Sequence, residues 1–383
     1  MKRQLFNADH ERFREQFGRF LEREVAPHYL DWERAGQVPR EVWLKAGANG
    51  YLCPWLPEEY GGSGADFLYS VVQIEEMARR MLTGFTLFVH NDIICPYLWN
   101  FGSEAQKRRW LPGCATGEIV TAIAMTEPDA GSDLQALRAT AVRDGGSYVL
   151  NGRKTFITNG ITNDLAIVAA KTDPQASPPH RGISLLLVPA GTPGYIKGRK
   201  LEKIGWRAQD TAELIFEDCR VPAENLLGGE GQGFKILMRE LQQERLTIVI
   251  SCMAMIHAVL GLTADYIKQR RAFGRPLAAF QNTRFRMAEM FTVAEITQAF
   301  IDRLIAEHAA GADVNTETAM AKAWTAERLK EITDSCLQFF GGYGYMEEYP
   351  IARAFRDARV QTIYAGATEV MQEIVSRAVL GYG

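Results

Sequence analysis

Gly228-Gly229-Glu230-Gly231-Gln232-Gly233 divides this chain into two regions with different sequence patterns. Before it, short runs of β-branched and apolar residues alternate with polar or proline-containing connections, which predicts strands. The clearest of these runs are 165–170, 183–188 and 212–216. After it, helix formers fill three long segments, which are 234–271, 281–310 and 316–340. Glycine at four of the six positions marks a turn between a β region and a helical bundle.

The start of the chain has a helical pattern of its own. Phe13, Phe17 and Phe20 fall on one helical face, and further helical segments run to about residue 117. We therefore predict an α+β multidomain protein. Its parts are a helical N-terminal domain at 1–118, a middle β domain at 119–228 and a C-terminal helical domain at 229–383.

One turn can be predicted inside the β region. Asn151-Gly152 follows Tyr148-Val149-Leu150 and precedes Arg153. The Asn-Gly pair readily adopts the positive φ angles of a type I′ turn, so we expect a hairpin to close there.

Composition and charge limit the classes of partner. Of the 383 residues, 47% are hydrophobic and 23% are charged, which is typical of a globular protein. The net charge of −3 gives no general attraction to nucleic acid or to anionic membranes. The apolar run 247–262 is shorter than a membrane span, and we interpret it as a buried core helix. Because charged and aromatic residues follow Met1, no signal peptide is indicated, and we expect a cytoplasmic protein without a membrane span.

The six cysteines and six histidines show no ligand spacing. There is no Cys-x-x-Cys motif, so the sequence indicates neither a zinc site nor a disulfide framework. We expect buried, reduced thiols and no metal.

Two segments of the β region have the composition of a ligand-binding turn. Ile123 and Met125 lead into Thr126-Glu127-Pro128-Asp129-Ala130-Gly131-Ser132-Asp133, whose small and hydroxyl residues offer donors to an anion or a polar heterocycle. Phe156-Ile157-Thr158-Asn159-Gly160 is the second segment. From spacing alone, an ordinary surface turn and a strand end remain the alternatives.

Glu244 stands at the border between a polar and an apolar stretch. Gln242-Gln243-Glu244-Arg245 is wholly polar, and the apolar run begins at Leu246. A carboxylate at such a border can be partly buried, and burial would raise its pKa as a general base requires. A solvated helix face is the alternative.

Several motifs, in the same order, resemble those of acyl-CoA dehydrogenases over nearly the whole chain, and the long-chain type most of all. Beside the segments above, they are Ala208-Gln209-Asp210-Thr211-Ala212-Glu213-Leu214, Gly341-Gly342-Tyr343-Gly344-Tyr345-Met346 and Ile363-Tyr364-Ala365-Gly366-Ala367-Thr368-Glu369. The resemblance implies a helical N-terminal domain, a β-barrel-like middle domain and a C-terminal four-helix bundle. It also implies FAD as cofactor and an acyl-CoA as substrate.

The resemblance also implies roles for individual residues. Most relatives carry a catalytic Glu at the position of Ala365, whereas the long-chain and isovaleryl types carry it at the position of Glu244. Ala365 together with Glu244 therefore implies a relocated base. Residues implied to bind substrate are Ser132, Arg245, Tyr364, Ala365 and Gly366. Residues implied to bind FAD are Ile123, Met125, Thr126, Ser132, Phe156, Thr158, Arg270, Phe273, Gln281, Gln338, Gly342 and Glu369.

Partners are implied in the same way. Arg270, Phe273, Gln281, Gln338 and Gly342 would reach the adenine and pyrophosphate half of FAD in a neighbouring subunit, so a homotetramer is expected. Electron-transfer flavoprotein would receive the electrons. Alternatives of the same fold are a dehydrogenase or oxidase that acts on acyl carrier protein thioesters, and a weakly catalytic flavoprotein that binds nucleic acid. The net charge weighs against the last.

Overall fold

The N-terminal domain is built from six α-helices. The structure, a computed structural model, describes residues 3–381. Residues 1–2 of the predicted N-terminal domain and 382–383 of the predicted C-terminal domain lie outside the described residues. The helices are α1 Ala8–Phe20, α2 Tyr29–Ala35, α3 Arg40–Ala48, α4 Phe67–Arg79, α5 Cys95–Phe101 and α6 Glu104–Thr116. A π-helical segment, Val89–Ile94, precedes α5. Side-chain caps begin three of these helices: Asn7 accepts from backbone amides of α1, Asp66 accepts from the Leu68 amide of α4, and Ser103 and Gln106 form a capping box on α6.

The middle domain is an eight-stranded, mostly antiparallel sheet. Its strands are β1 Thr121–Ala124, β2 Thr140–Asp144, β3 Ser147–Thr158, β4 Leu165–Lys171, β5 Ile183–Pro189, β6 Tyr195–Lys200, β7 Thr211–Pro222 and β8 Leu226–Leu227. The strand order is β6-β7-β3-β2-β4-β5-β8, and β1 pairs in parallel with β4. The apolar runs predicted as strands form β4, β5 and part of β7, and β4 and β5 are buried along almost their whole length.

The hairpin predicted at Asn151-Gly152 is wrong. These two residues lie inside β3, and the turn that joins β2 to β3 is Gly145-Gly146. Gly152 has φ +147°, and the β3–β7 register shifts between Leu150 and Gly152. A Cβ on Gly152 would lie 2.6 Å from the Cβ of Ala139, so the glycine serves close packing and a bulge.

Three long helices form the framework of the C-terminal domain. They are α7 Gly233–Gln269, α8 Gln281–Ala309 and α9 Asn315–Phe340, close to the three segments predicted from sequence. The short strands β9 Arg271–Ala272 and β10 Arg275–Pro276 form a hairpin between α7 and α8. Two shorter helices follow, α10 Pro350–Ala358 and α11 Thr368–Leu380, and both pack against α9. The α+β architecture of three domains is thereby confirmed.

Helix α7 joins the domains. It is the one helix among residues 3–381 that is long and apolar enough to cross a membrane, and 78% of its most apolar window is buried within the protein. Its apolar residues belong to the same core cluster as side chains of α4, α5, β4 and β5. The polar segment 242–245 of this helix therefore lies at the junction of the three domains.

Candidate active site

Glu244 is buried at the junction of α7 with the N-terminal domain. Its side chain is 8% exposed, and its Oε2 atom has no hydrogen-bond partner among the described residues. Burial raises the pKa of Glu244 to about 7; the Arg245 charge opposes this shift, and the Glu240 charge adds to it. The alternative of a solvated helix face is therefore wrong. A carboxylate with this pKa and a free oxygen is suited to accept a proton near neutral pH.

The residues before Glu244 fix the N-terminal third of α7. Gln243 donates from Nε2 to the backbone oxygen of Asp92 at 2.8 Å, which ties the helix to the π-helical segment. Gln242 accepts from the backbone amide of Val314 at 3.0 Å. These bonds explain the polar stretch: the side-chain amides of the half-buried Gln242 and Gln243 bind neighbouring elements, and the next two residues, Glu244 and Arg245, are buried.

Arg245 is a second buried charge beside Glu244. It is 5% exposed and donates from Nη1 to Asn315 Oδ1 at 3.2 Å, while its Nε has no partner within the described part of the chain. Burial lowers the pKa of Arg245, and the Glu244 charge opposes that shift. A buried guanidinium with an unused donor can bind an anionic or carbonyl group of a ligand.

The loop Tyr364–Ala367 lies against this part of α7. Ala365 has φ +51°, which is uncommon for a residue with a Cβ, and Gly366 has φ +96°. A Cβ on Gly366 would collide with Met371 and would lie 3.9 Å from Arg245 Nε. Across residues 3–381, no group accepts a hydrogen bond from the Ala365 backbone N–H. This donor is free for a ligand beside Glu244.

Strands β1 and β3 bring the two predicted flavin segments together. The Thr155 amide donates to the Thr126 oxygen at 2.9 Å, and Lys154 Nζ donates to the Met125 oxygen at 3.0 Å. Lys154 is fully buried and pairs with Glu127 at 2.8 Å, and Glu127 also accepts from the amides of Arg138 and Ala139. This buried pair holds the turn after β1 against the end of β3.

A chain of contacts links the two predicted flavin segments to the loop Tyr364–Ala367. Thr158 Oγ1 accepts a hydrogen bond from the side-chain Nε2 of Gln209 at 2.6 Å. The backbone amide of Gln209 donates to the backbone oxygen of Trp206 at 3.1 Å. The Trp206 ring meets the Tyr364 ring edge-on, with centroids 5.7 Å apart. Tyr364 OH donates to Gln361 at 2.8 Å. Thr126, Thr158, Tyr364 and Ala365 thus belong to one region.

The remaining predicted FAD residues lie at the opposite end of α7. Arg270 caps the helix and places its guanidinium 5.6 Å from the ring centre of Tyr343, the neighbour of Gly342. Phe273, in the β9–β10 hairpin, has φ +50° and is 95% exposed. Gln281 begins α8, and Gln338 is exposed near the end of α9. At 1.5 Å per residue, Glu244 and Arg270 are about 39 Å apart along α7, so one chain does not bring these residues to the Glu244 site.

Ser132 and Glu369, two further predicted site residues, are both exposed. Ser132 lies in the exposed turn that follows Thr126, and Glu369 is exposed in the first turn of α11. Their binding roles stay predictions.

The cysteines are all free and buried, as expected. The fold nevertheless brings Cys53, His90 and Cys95 together, with ligand atoms within 4.8 Å of one another. His90 Nδ1 accepts from the Thr121 amide at 3.2 Å, and Nε2 lies 3.1 Å from the oxygen of Cys114. These bonds engage both ring nitrogens that a metal would need.

Sequence reasoning missed Lys154 and Lys322, two lysines that are buried beside the site. Lys154 is at a buried position of β3. Lys322 shares one helix face with Ala319, Thr325 and Ala326, which are three or four residues away. A single charged residue on an otherwise small and apolar face is the signal that could have identified Lys322.

The residues at the β1–β3 edge fit a flavin ring. Ile123 and Met125 are half-buried, and Phe156, with φ +59°, is a 68% exposed aromatic side chain beside them. The Thr126 backbone N–H has no acceptor within residues 3–381. Apolar side chains with a few free donors are what a flat, polar-edged heterocycle requires.

Comparison with known proteins agrees with this geometry. The family models for the acyl-CoA dehydrogenase N-terminal, middle and C-terminal domains match residues 7–118, 122–219 and 231–380. The long-chain specific acyl-CoA dehydrogenase of Sus scrofa mitochondria is 46% identical over 378 residues, which are 99% of this chain and 88% of that protein. The mitochondrial isovaleryl-CoA dehydrogenase of Pongo abelii is 36% identical, over 97% of this chain and 89% of that protein.

Solved structures show the same relationship. The crystal structure of an acyl-CoA dehydrogenase from Geobacillus kaustophilus has a TM-score of 0.97 and 53% identity, over 99% of this chain and 100% of that chain. A glutaryl-CoA dehydrogenase from Mycobacterium smegmatis in complex with FADH2 has a TM-score of 0.91 and 27% identity, over 99% of this chain and 96% of that one. The chain belongs to the acyl-CoA dehydrogenase family and is an FAD-dependent oxidoreductase of acyl-CoA thioesters.

Proposed function

We propose that Glu244 is the catalytic base and that the substrate is a medium-to-long or methyl-branched acyl-CoA, oxidised to the trans-2-enoyl-CoA. The observation that carries this proposal is the burial of Glu244, with one free carboxylate oxygen, beside a loop that has Ala365 in place of a carboxylate. The loop Tyr364–Ala367 itself carries no carboxylate.

The α-proton passes to a carboxylate oxygen of Glu244: the α-carbon–hydrogen bond breaks, an O–H bond forms, and the electron pair shifts toward the thioester. FAD, when bound at the β1–β3 edge, would supply the oxidant for loss of hydride from the β-carbon. The free N–H of Ala365 donates to the thioester oxygen, where negative charge develops, and this donor does not depend on the side chain at 365. Arg245, Tyr364 and Gly366 would contact the CoA thioester, and Ser132 the pantetheine or cofactor.

The preference for longer or branched chains rests on the small side chain of Ala365. With the base on α7, the loop leaves space beside the reacting carbons. Each buried methylene contributes roughly 0.8 kcal/mol, so a chain several carbons too short binds much more weakly. The named long-chain and isovaleryl relatives, 46% and 36% identical, support this choice of substrates.

A homotetramer is part of the same proposal. Arg270, Phe273, Gln281, Gln338 and Gly342 would bind the adenine and pyrophosphate half of FAD held mainly by a neighbouring chain. Exposed apolar side chains provide surface for such contacts; they include Phe273, Phe285, Phe291, Ile296, Phe300 and Trp324. Electron-transfer flavoprotein would reoxidise the flavin, and the protein would work in the cytoplasm.

The direct test is bleaching of the flavin by a panel of straight and methyl-branched acyl-CoA thioesters without oxygen. We expect specificity constants to rise from butyryl-CoA to medium and long chains. A maximum at four carbons would contradict the substrate choice. Faster bleaching by the same acyl chain on acyl carrier protein would contradict the CoA thioester, and rapid reoxidation in air would indicate an oxidase.

A further inference from the structure

Lys322 is a buried lysine beside the loop Tyr364–Ala367. It lies on α9 and is 1% exposed, and its Nζ donates to the Gly366 carbonyl oxygen at 2.5 Å. Among residues 3–381 this is its single hydrogen bond, although an ammonium has three donors. Burying an ammonium against one neutral acceptor is unfavourable for folding, so Lys322 requires an explanation other than stability.

The charged and titratable groups around Lys322 come from three helices. Arg245 and Cys252 approach from α7, Glu327 from α9 itself and Glu369 from α11. Glu327 pairs with Lys330 at 2.5 Å, and Glu369 is exposed. Burial lowers the pKa of Lys322 to about 8; the Arg245 charge contributes to this shift, and Cys252, Glu327 and Glu369 oppose it. Lys322 therefore still carries its charge at neutral pH.

Gly366 lies between two buried cations. Lys322 binds its carbonyl oxygen, and Arg245 Nε is 3.9 Å from where a Cβ would be. The preceding residue, Ala365, is held at φ +51°, a conformation that costs an alanine free energy. The hydrogen bond from Lys322 Nζ fixes the peptide group between Gly366 and Ala367. It therefore restricts rotation of the loop that carries the free N–H of Ala365.

We propose that Lys322 is a positioning residue for the reaction: it holds the loop so that the Ala365 N–H faces the thioester oxygen, and its charge favours the enolate formed when Glu244 removes the α-proton. This inference rests on the proposed function. It differs from direct catalysis, because Lys322 acts through the Gly366 carbonyl and through the electric field in a buried region.

The test uses the FAD-loaded enzyme and a 3-thiaacyl-CoA as a non-reactive probe. Sulfur at position 3 acidifies the α-proton and leaves no hydride to transfer, so the bound ligand stops at the enolate. The enolate beside oxidised flavin gives a long-wavelength charge-transfer band, and its pH titration gives the apparent pKa of the ligand in the site. This readout depends on the charge at the site and not on turnover.

In Lys322→Met we expect the band to titrate about one pH unit or more higher than in wild type, because both the charge and the donor are lost. Lys322→Gln keeps a donor to Gly366 but no charge, so an intermediate shift is expected. Lys235→Met, which removes an exposed lysine on α7, is the control and should titrate as wild type. A purely structural role would reduce FAD content or thermal stability and leave the titration unchanged.

The result that would overturn the proposal is a band that titrates at the wild-type pH in both Lys322 variants. If Lys322→Met does not retain FAD, the glutamine variant decides alone: a shift supports the role and no shift contradicts it. Failure of wild type itself to give the band or to be bleached by any acyl-CoA would instead contradict the proposed function. The two failures are thus distinguishable.

Discussion

Two parts of α7 carry predicted site residues, the N-terminal third around Glu244 and the C-terminal end at Arg270. We call them the buried end and the exposed end, and they differ in how complete their sites are. Around Glu244, ionic groups are buried, and the free donors and acceptors converge on one place. Around Arg270, the predicted cofactor residues are exposed, and Phe273 has almost no protein around it. The first region has the groups for proton removal within one chain. The second presents binding groups outward, which is the arrangement expected if a neighbouring chain completes the site.

The largest expected effect is at the buried end. Glu244→Gln should fold and retain FAD but lose flavin reduction by about 10² to 10⁴, as removal of a general base typically does. Stopped-flow bleaching measures this loss. Glu240→Gln, one turn earlier and also buried, is the control and should remain far more active. Reduction by Glu244→Gln at more than about a tenth of the wild-type rate would rule out this base.

A companion variant asks whether a carboxylate on the loop can replace the one on the helix. Adding Ala365→Glu to Glu244→Gln places a carboxylate where most relatives carry it. We expect partial recovery of flavin reduction, because both positions face the same α-carbon in the proposed geometry. Lack of recovery would mean that the loop, with φ +51° at Ala365, does not direct a longer side chain to that carbon.

At the exposed end, Arg270→Ala should weaken FAD binding about ten- to a hundredfold, since a hydrogen bond to a charged group is worth about 1.5–3 kcal/mol. Equilibrium dialysis of the apoprotein with FAD measures the change. Lys268→Met, also exposed near the end of α7, is the control. Unchanged affinity for FAD in Arg270→Ala would show that the exposed end of α7 is not part of the cofactor site.

The pH dependence reports on the buried end alone. Because burial raises the pKa of Glu244 to about 7, its carboxyl holds a proton below that pH and is inactive as a base. The rate of flavin reduction should therefore fall about tenfold for each pH unit below 7. A rate that is flat from pH 5.5 to 8 would place the titrating group elsewhere.

The same pKa shift predicts that the free energy of unfolding depends on pH. Folded Glu244 holds its proton more tightly than the unfolded chain does, so its stabilising contribution is complete below about pH 4.5 and is lost as pH rises through about 7. The stability advantage of apo Glu244→Gln over wild type should grow by up to about 3 kcal/mol between pH 4.5 and 8. Urea denaturation measures it. Glu15→Gln, an exposed control, should show no such trend.

The sequence predicted what depends on local pattern. The long helices α7–α9 begin and end within one or two residues of the predicted segments, because their helical pattern and their boundaries are both local features. Asn151-Gly152 was misread because a tertiary contact with Ala139, and not a turn, requires the glycine. Lys322 was missed for the same reason: its partner, Gly366, is 44 residues away. The burial of Glu244 likewise depends on hydrogen bonds that the side-chain amides of Gln242 and Gln243 make with segments distant in sequence.

The central claim is that each site combines the buried end of one chain with the exposed end of another. Co-expressing a chain with Glu244→Gln and a second, differently tagged chain with Arg270→Glu tests it directly, because each homo-oligomer should be inactive. If the ends act across chains, the mixture should recover about one quarter of wild-type activity, since random pairing makes half of the pairs hybrid, with one intact site each. If both ends serve the same chain, hybrids contain no intact site, and the mixture would remain inactive.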